Sequence, residues 1–543
     1  MRVAGSGPPC GTSGRARTWR KRFLGSRIRS RRCRNSIRQR LRKKTSATLR
    51  RTCSRSRPNA NALPFVLYRF ARDLRLEDHA GLAEAARHGE IVPVLVIDPL
   101  LRRRVTASPR RAAFFLRAVH ALDDALRERG SRLVVKHGSL AQTIPALAAQ
   151  TQAQAVVWSA SYDAAAMREE SQLRLLLEER GLRVEIVHDG PVIPPDETSQ
   201  AKASRGQGYR ALAPYIETWR SLEVTSHEAP LLCRFASKTP AGEALPAAQD
   251  FDAAAPPDDA TPNGAAQSLT RFLKQDALQY SVAVSVPSDD RTSHLCAHLS
   301  FGTIAARTVV RETKRRAEDP FLLAEERASL RRFLRSLAQR DFFLQLSWCN
   351  PQTQTEALQP KMRKFPLART HEHLEAWQHG KTGFPLIDAG IRQLHATGWM
   401  HPYVRSIAAS FLCFDLGIDW RVGLGEWERH LIEDDPALAA GNWQWVAGVG
   451  ADLAAYPRIY NPLKGARRFD PTGAYARAWI AELAHGSSRR AGGRAPQLTL
   501  PLFGSKAYPA PILDHGRAAR EYLARYNLFV GANSPATARP ANR

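Results

Sequence analysis

The chain has 543 residues, enough for two or three domains that each bury their own core. Its composition is that of a soluble globular protein, and no apolar run reaches membrane-spanning length. The formal net charge is +29, but residues 1–60 hold 20 Lys and Arg and no acid, so 29 − 20 leaves +9 for the remainder. That modest excess fits a polyanionic partner without requiring one. Seven cysteines are scattered, three of them (Cys10, Cys33, Cys53) near the start. No CxxC or Cys/His ligand spacing appears, so neither a disulfide framework nor a zinc or iron–sulfur site is expected: metal, none.

Residues 1–62 form a basic extension rich in Arg and Ser. Self-repulsion and few apolar residues predict disorder there. A transit-like segment, a nucleic-acid-binding arm and translation from upstream of the true start compete as explanations, and the last is the expected one. An apolar h-region is missing, which argues against a secretory signal.

From 63 to 195 strand and helix patterns alternate. PFVLYRF, EIVPVLVIDP, RLVVKHG, AVVWSAS and RVEIVHD read as strands. RRAAFFLRAVHALDDALRERG places Phe115, Val119, Leu122 and Leu126 on one helical face. The alternation predicts a doubly wound parallel α/β domain. No GxGxxG follows the first strand, so a standard dinucleotide site is not expected. Residues 196–265 read as a connector. It begins with one helix in GYRALAPYIETWRSL, and SKTPAGEALPAAQDFDAAAPPDDATPNG follows as an exposed linker.

Residues 266–543 carry helical periodicity throughout, predicting an all-helical second domain. Pro385 suits a first helical position, and Leu386, Ile387, Ile391 and Leu394 recur at helical spacing until Gly398. Pro402 opens a second helix with Val404, Ile407, Ala408, Phe411 and Leu412 on its inner face. His401, Arg405, Glu433, Asp434 and Asp435 lie inside this apolar frame, with Trp420, Trp443 and Trp445. Charges so placed need partners. Taken singly, each residue reads as an ion-pair member or a core tryptophan.

Six segments in order carry a more specific signal: TGFPLIDAGIRQL, TGWMH, IDWR, GNWQWVAG, RIYNP and FDPTGAYARAWIAEL. Together they resemble the flavin-binding domain of the DNA photolyase and cryptochrome family, and the resemblance reaches back to about Leu63.

The resemblance implies FAD in the helical domain, held by Tyr280, Thr292, Ser293, His294, Leu295, Cys296, Arg340, Arg405, Glu433, Asp434 and Asp435, with Ala439 facing the flavin N5. Hydroxyls and backbone N–H groups at the helix start after DRTSHL suit a diphosphate, although Thr292 and Ser293 alone also read as a helix cap. Arg405 and Glu433 form a candidate buried ion pair. Trp443 matches the inner and Trp420 the middle member of a tryptophan chain that delivers electrons to the flavin, and the outer position falls on Leu367, so either another aromatic such as Trp377 serves or photoreduction is weak. A second antenna chromophore is possible in the α/β domain, with no residues assigned to it.

The lesion pocket departs from the family pattern. Ser336 and Gln339 stand where a carboxylic acid and a tryptophan are usual, and Pro402 and Ser406 replace an Asn and a Met. Ser336 retains one donor, and Trp445 is placed to stack on a base. Lys361, Arg363, Lys364, Lys464, Arg467 and Arg468 are candidate phosphate contacts. The function implied is blue-light-driven repair of pyrimidine dimers in DNA by a lyase using reduced FAD. The alternative is a cryptochrome-like photoreceptor without repair. A cytoplasmic monomer is expected.

Overall fold

The computed structural model describes residues 63–201, 208–227, 233–255, 257, 259–451, 457–484 and 508–532. The basic extension therefore lies outside the described residues.

The first part is a five-stranded parallel sheet: β1 (Phe65–Phe70), β2 (Glu90–Ile97), β3 (Val134–His137), β4 (Ala155–Ser159) and β5 (Arg183–Val187), in the order β3-β2-β1-β4-β5. Val66 pairs with Ile91 on one side and Ala155 on the other. Helices cover both faces, so the central strands are almost wholly apolar: every residue of β2 after Glu90 is buried. The crossover helices are α1 (Ala80–His88), α2 (Pro99–Val105), α3 (Pro109–Arg127), α4 (Leu140–Thr151) and α5 (Ala164–Glu179). Phe115, Val119, Leu122 and Leu126 all point into the core, as the periodicity of α3 predicts. Strand order reverses between β1 and β4, the place where open α/β sheets form a crevice at their carboxyl ends. A small cavity of about 110 Å³ lies there, bordered by Arg69, Asp98, Ser159 and Glu170.

Leu212–Ser221 is a helix, α6, with Tyr215, Ile216 and Trp219 buried. Downstream, the segment runs over the surface and is mostly exposed, as expected, but it is pinned to the α/β part at a few points. Phe235 bridges Ile91, Glu243 bridges Val135, and Ala236 and Phe251 are fully buried. These isolated apolar residues strap the segment onto the α/β part, and their irregular spacing hid the strap from periodicity.

The rest is helical: α7 (Pro262–Lys274), α8 (Ala306–Ala317), α9 (Ala324–Cys349), α10 (Pro385–Thr397), α11 (Pro402–Ser410), α12 (Trp420–His430), α13 (Pro436–Ala447) and α14 (His515–Ala532), with shorter turns between. Gly398 ends α10 at φ +72, a left-handed cap that suits glycine. The chain continues past α11 through a π-turn at Phe411–Asp415, and Val404, Ile407, Ala408, Phe411 and Leu412 are all buried.

The segment RDLRL, residues 72–76, helps tie the two layers together. Arg75 donates to Asp189 at 2.7 Å, and Arg307 on α8 donates to the other oxygen of Asp189 at 2.8 Å. Arg311 donates to Asp78 at 2.7 Å. Among the described residues no helix is long and apolar enough to cross a membrane.

Candidate flavin and lesion cavity

The main cavity, about 470 Å³, opens inside the helical part. That volume lies in the range of organic cofactor sites. Its walls come from the loop before the short helix Cys296–Phe301, from α9, from the start of α11, and from α12 through α13. Two glycines permit the close packing. A Cβ on Gly441 would sit 2.4 Å from the ring of Phe343 on α9, and one on Gly423 would sit 2.1 Å from the ring of Trp443.

Tyr280, Thr292, Ser293, His294, Leu295 and Cys296 line this cavity. Asp290 shapes that loop: Thr292 Oγ1 donates to it at 3.0 Å, and His294 Nε2 lies 3.1 Å away. Arg340, Arg405, Glu433, Asp434, Asp435 and Ala439 line the cavity as well. Of the residues assigned from the sequence, only Trp420 falls outside the lining. It is buried in the neighbouring core, with the Arg421 guanidinium 4.8 Å from its ring.

The charged residues are held firmly. Arg405 donates Nη1 to Glu433 at 2.5 Å and Nε to the Met400 carbonyl at 2.7 Å. Arg340 donates to the Gly190 carbonyl at 2.9 Å and lies 3.4 Å from Asp341. Burial pushes the Asp341 carboxyl up against the pull of Arg340, and burial likewise raises Asp435. Asp435 also caps α13, accepting from the Leu438 N–H at 3.3 Å.

Asp434 is placed differently from the others. Its carboxylate accepts from Arg72 and Arg104, with Arg111 3.7 Å away. Its backbone is locked to Ser300 by a reciprocal pair of 2.9 Å hydrogen bonds. Asp434 thus spends its charge joining the α/β layer to the cavity wall.

Ser336, Gln339, Trp445, Pro402 and Ser406 gather on the cavity as well. One expectation needs correction. The Ser336 hydroxyl already donates to the Phe333 carbonyl at 2.6 Å, so it presents lone pairs rather than a spare donor. Sequence reasoning also missed Trp427, which lines the cavity. Its ring centroid is 4.8 Å from that of Trp443 and 5.5 Å from that of Trp377, on which it stacks in parallel. Trp427 lies seven residues after Trp420 on α12, so two helical turns put both on one side.

The lining suits a flavin dinucleotide on its own chemistry. Ser293, Arg340 and Arg405 supply donors for anionic oxygens, and Trp443 supplies a flat apolar wall. The buried Trp443 Nε1 has no hydrogen-bond partner among the described residues, as expected of a donor facing a ligand space.

Two buried histidines near the site give a pH prediction. Burial lowers both His298 and His401 from 6.5 to about 4. The native protein then refuses protons that the unfolded chain accepts, so stability is full above about pH 6.5 and falls toward pH 4. The loss amounts to about 3 kcal/mol per histidine. Denaturant unfolding at pH 7 and 4.5 should show it, and His401→Gln should flatten the dependence; an identical slope in the variant would contradict this.

The α/β part, over residues 66–233, matches the family model described as DNA photolyase, and residues 333–528 match that of the FAD binding domain of DNA photolyase. A deoxyribodipyrimidine photo-lyase of Halobacterium salinarum is 31% identical over 497 residues, covering 86% of this chain and 99% of that protein. The solved class III photolyase of Agrobacterium tumefaciens superposes with a TM-score of 0.73 at 29% identity, covering 88% of this chain and 100% of the other. A Synechocystis cryptochrome shares the fold, with a TM-score of 0.73 at 24% identity, covering 86% of this chain and 99% of that one. With the α/β sheet, the helical domain and a cavity lined by nearly all the residues assigned to it, the chain belongs to the DNA photolyase and cryptochrome family.

Proposed function

We propose that this protein is a light-driven DNA repair lyase that splits pyrimidine dimers, the activity carried in the names of its relatives. The observation that carries the reading is the shared cavity. Cofactor-type groups (Ser293, Arg340, Arg405) and base-recognition groups (Gln339, Trp445) face the same space. When bound there, reduced FAD supplies light absorption and a single electron that the lesion returns after its bonds break.

The chain's own residues do the rest. Arg405, fixed by Glu433, and Arg340, fixed by Gly190, offer positive charge to the cofactor's anionic groups without moving. Trp445 offers a stacking surface to a base flipped from the duplex, and the Gln339 amide offers both a donor and an acceptor to its edge. Tyr460 extends the cavity wall toward the helix Pro462–Phe469, on which Lys464, Arg467 and Arg468 are exposed. These three, with exposed Lys361, Arg363 and Lys364, are the phosphate contacts this reading calls for. The unit that acts is a single chain.

A photoreceptor without repair is the second reading. It is favoured by Ser336, whose proton is taken by its own helix, and by Ala439, which offers the flavin edge no hydrogen bond. Illuminating reduced, FAD-loaded protein with dimer-containing oligonucleotides separates the two. Restored thymine absorbance supports repair; no restoration with either cyclobutane or (6–4) substrate leaves the photoreceptor.

Gln339→Trp should tighten binding to dimer-containing DNA by about tenfold, since base stacking on an aromatic is worth ~1–3 kcal/mol. Unchanged affinity in a gel-shift titration would mean that stacking is not what the pocket lacks. Deleting residues 1–60 should leave FAD content unchanged, and colourless truncated protein would assign that extension a role in the fold.

A further inference from the structure

Away from the cavity, three side chains from two helices converge on one point. His395 stands in the last turn of α10, and Glu426 and His430 stand one turn apart on α12. Nε2 of His430 is 3.0 Å from Glu426 Oε1, and Nε2 of His395 is 3.8 Å from the same oxygen. The two imidazole rings approach to 4.2 Å between centroids. One nitrogen or oxygen from each residue falls within 4.8 Å of the other two.

The His430–Glu426 separation is a hydrogen-bond length, the His395 separation is too long for one, and both fit ligands of a shared ion. Tetrahedral zinc with bonds of about 2.0–2.2 Å holds its ligand atoms about 3.4 Å apart. The observed 3.0 and 3.8 Å bracket that value. A hydrogen bond from His395 would need a shorter approach, and its Nε2, shielded from water, makes none among the described residues. The second carboxylate oxygen is occupied separately: Arg429 donates to Glu426 Oε2, and Gln378 Nε2 lies 3.3 Å from it. Those outer bonds fix the carboxylate with Oε1 turned to the imidazoles, the support that metal-ligating carboxylates usually have. Arg429 opposes a dication, but its side chain is 56% exposed and water screens it.

We propose that His395, Glu426 and His430 bind one transition-metal dication of the zinc class, with a fourth position open to water. Two imidazoles and one carboxylate select Zn²⁺, Co²⁺ or Ni²⁺ over Mg²⁺ and Ca²⁺, which prefer all-oxygen sites. Both histidine side chains are 32% exposed, so the cluster lies close to solvent although His395 Nε2 itself is shielded. The ion would bolt α10 to α12. Trp427, the neighbour of Glu426, lines the cavity, so the bolt holds that wall in place. Glu426 and His430 share one helix at i,i+4, but His395 comes from another, so the sequence alone did not join the three.

The test uses untagged, full-length protein stripped with a chelator and titrated with CoCl₂ and ZnCl₂. One equivalent of Co²⁺ is expected to bind with the intense visible bands of a four-coordinate N/O site, and Zn²⁺ is expected to displace it. His395→Ala should weaken binding by at least about a hundredfold, beyond what loss of an outer hydrogen bond costs. His395→Gln serves if the alanine variant does not fold, with the same loss expected. The proposal is overturned if wild type shows only weak six-coordinate Co²⁺ bands or no saturable binding. It is equally overturned if binding is undiminished in the folded His395 variant, which would place the ion elsewhere. The outcome does not depend on whether the protein repairs DNA.

Discussion

Trp443→Phe is expected to slow light-driven reduction of bound FAD by roughly a hundredfold, about 2.7 kcal/mol on the barrier. Trp443 is the buried indole on the cavity wall, and phenylalanine keeps its packing while removing the readily oxidised ring. The partner that feeds it is the more informative question. Family spacing points to Trp420 and then to Leu367, which cannot carry a radical and is packed against the core. The ring contacts run another way, from Trp443 to Trp427 at 4.8 Å and on to Trp377 at 5.5 Å with the planes parallel. Trp427→Phe should therefore slow photoreduction more than Trp420→Phe when both are followed by flavin absorbance with an external thiol as final donor. Equal or reversed effects would return the path to Trp420. Matched thermal melts would separate an electron-transfer defect from a folding defect.

The largest loss of stability is expected from Asp434→Ala. Burial pushes this carboxyl up, but the combined pull of Arg72, Arg104 and Arg111 outweighs burial and holds it well below the usual range. Arg111 is almost fully buried and donates only to backbone carbonyls, so removing the carboxylate takes away its buried counter-ion. Breaking such a network from one side costs about 3–5 kcal/mol. The sign with pH follows: the charge stabilises the fold above the ordinary carboxylate pKa, and that contribution is lost in strong acid. Asp434→Asn, which keeps the shape and can still accept one hydrogen bond, should lose less. Urea unfolding measures both, and a change below about 1 kcal/mol for the alanine variant would contradict the account. Because the arginines come from the α/β layer, the loss should also loosen the cavity wall and lower FAD retention.

Much of this was legible in the chain. Pro385, Gly398 and Pro402 marked the α10 and α11 boundaries because proline and glycine act through local backbone geometry. The apolar strand runs declared a sheet covered on both faces. Of the cavity lining, the quoted motifs carry Trp443 and Trp445, whereas Tyr280, Ser293, Arg340 and Arg405 were assigned from the family's spacing outside them. What escaped was long-range. The Asp434 cluster joins residues more than 300 positions apart, and no periodicity encodes such a meeting. Trp427 escaped because family spacing drew attention to Trp420 on the same helix. The Ser336 proton went to its own helix, a local competition that residue identity alone does not reveal.

The central claim is that the helical domain encloses one FAD between the loop at Ser293 and the wall carrying Trp443. The most direct measurement is FAD stoichiometry by absorbance and fluorescence in purified protein. Wild type is predicted to hold one FAD per chain, and Gly441→Trp, which drives a large ring into the α9–α13 contact beside the cavity, to hold almost none while the α/β part stays folded. Wild-type protein that stays colourless and takes up no added FAD, or a Gly441→Trp variant that binds as well as wild type, would contradict it.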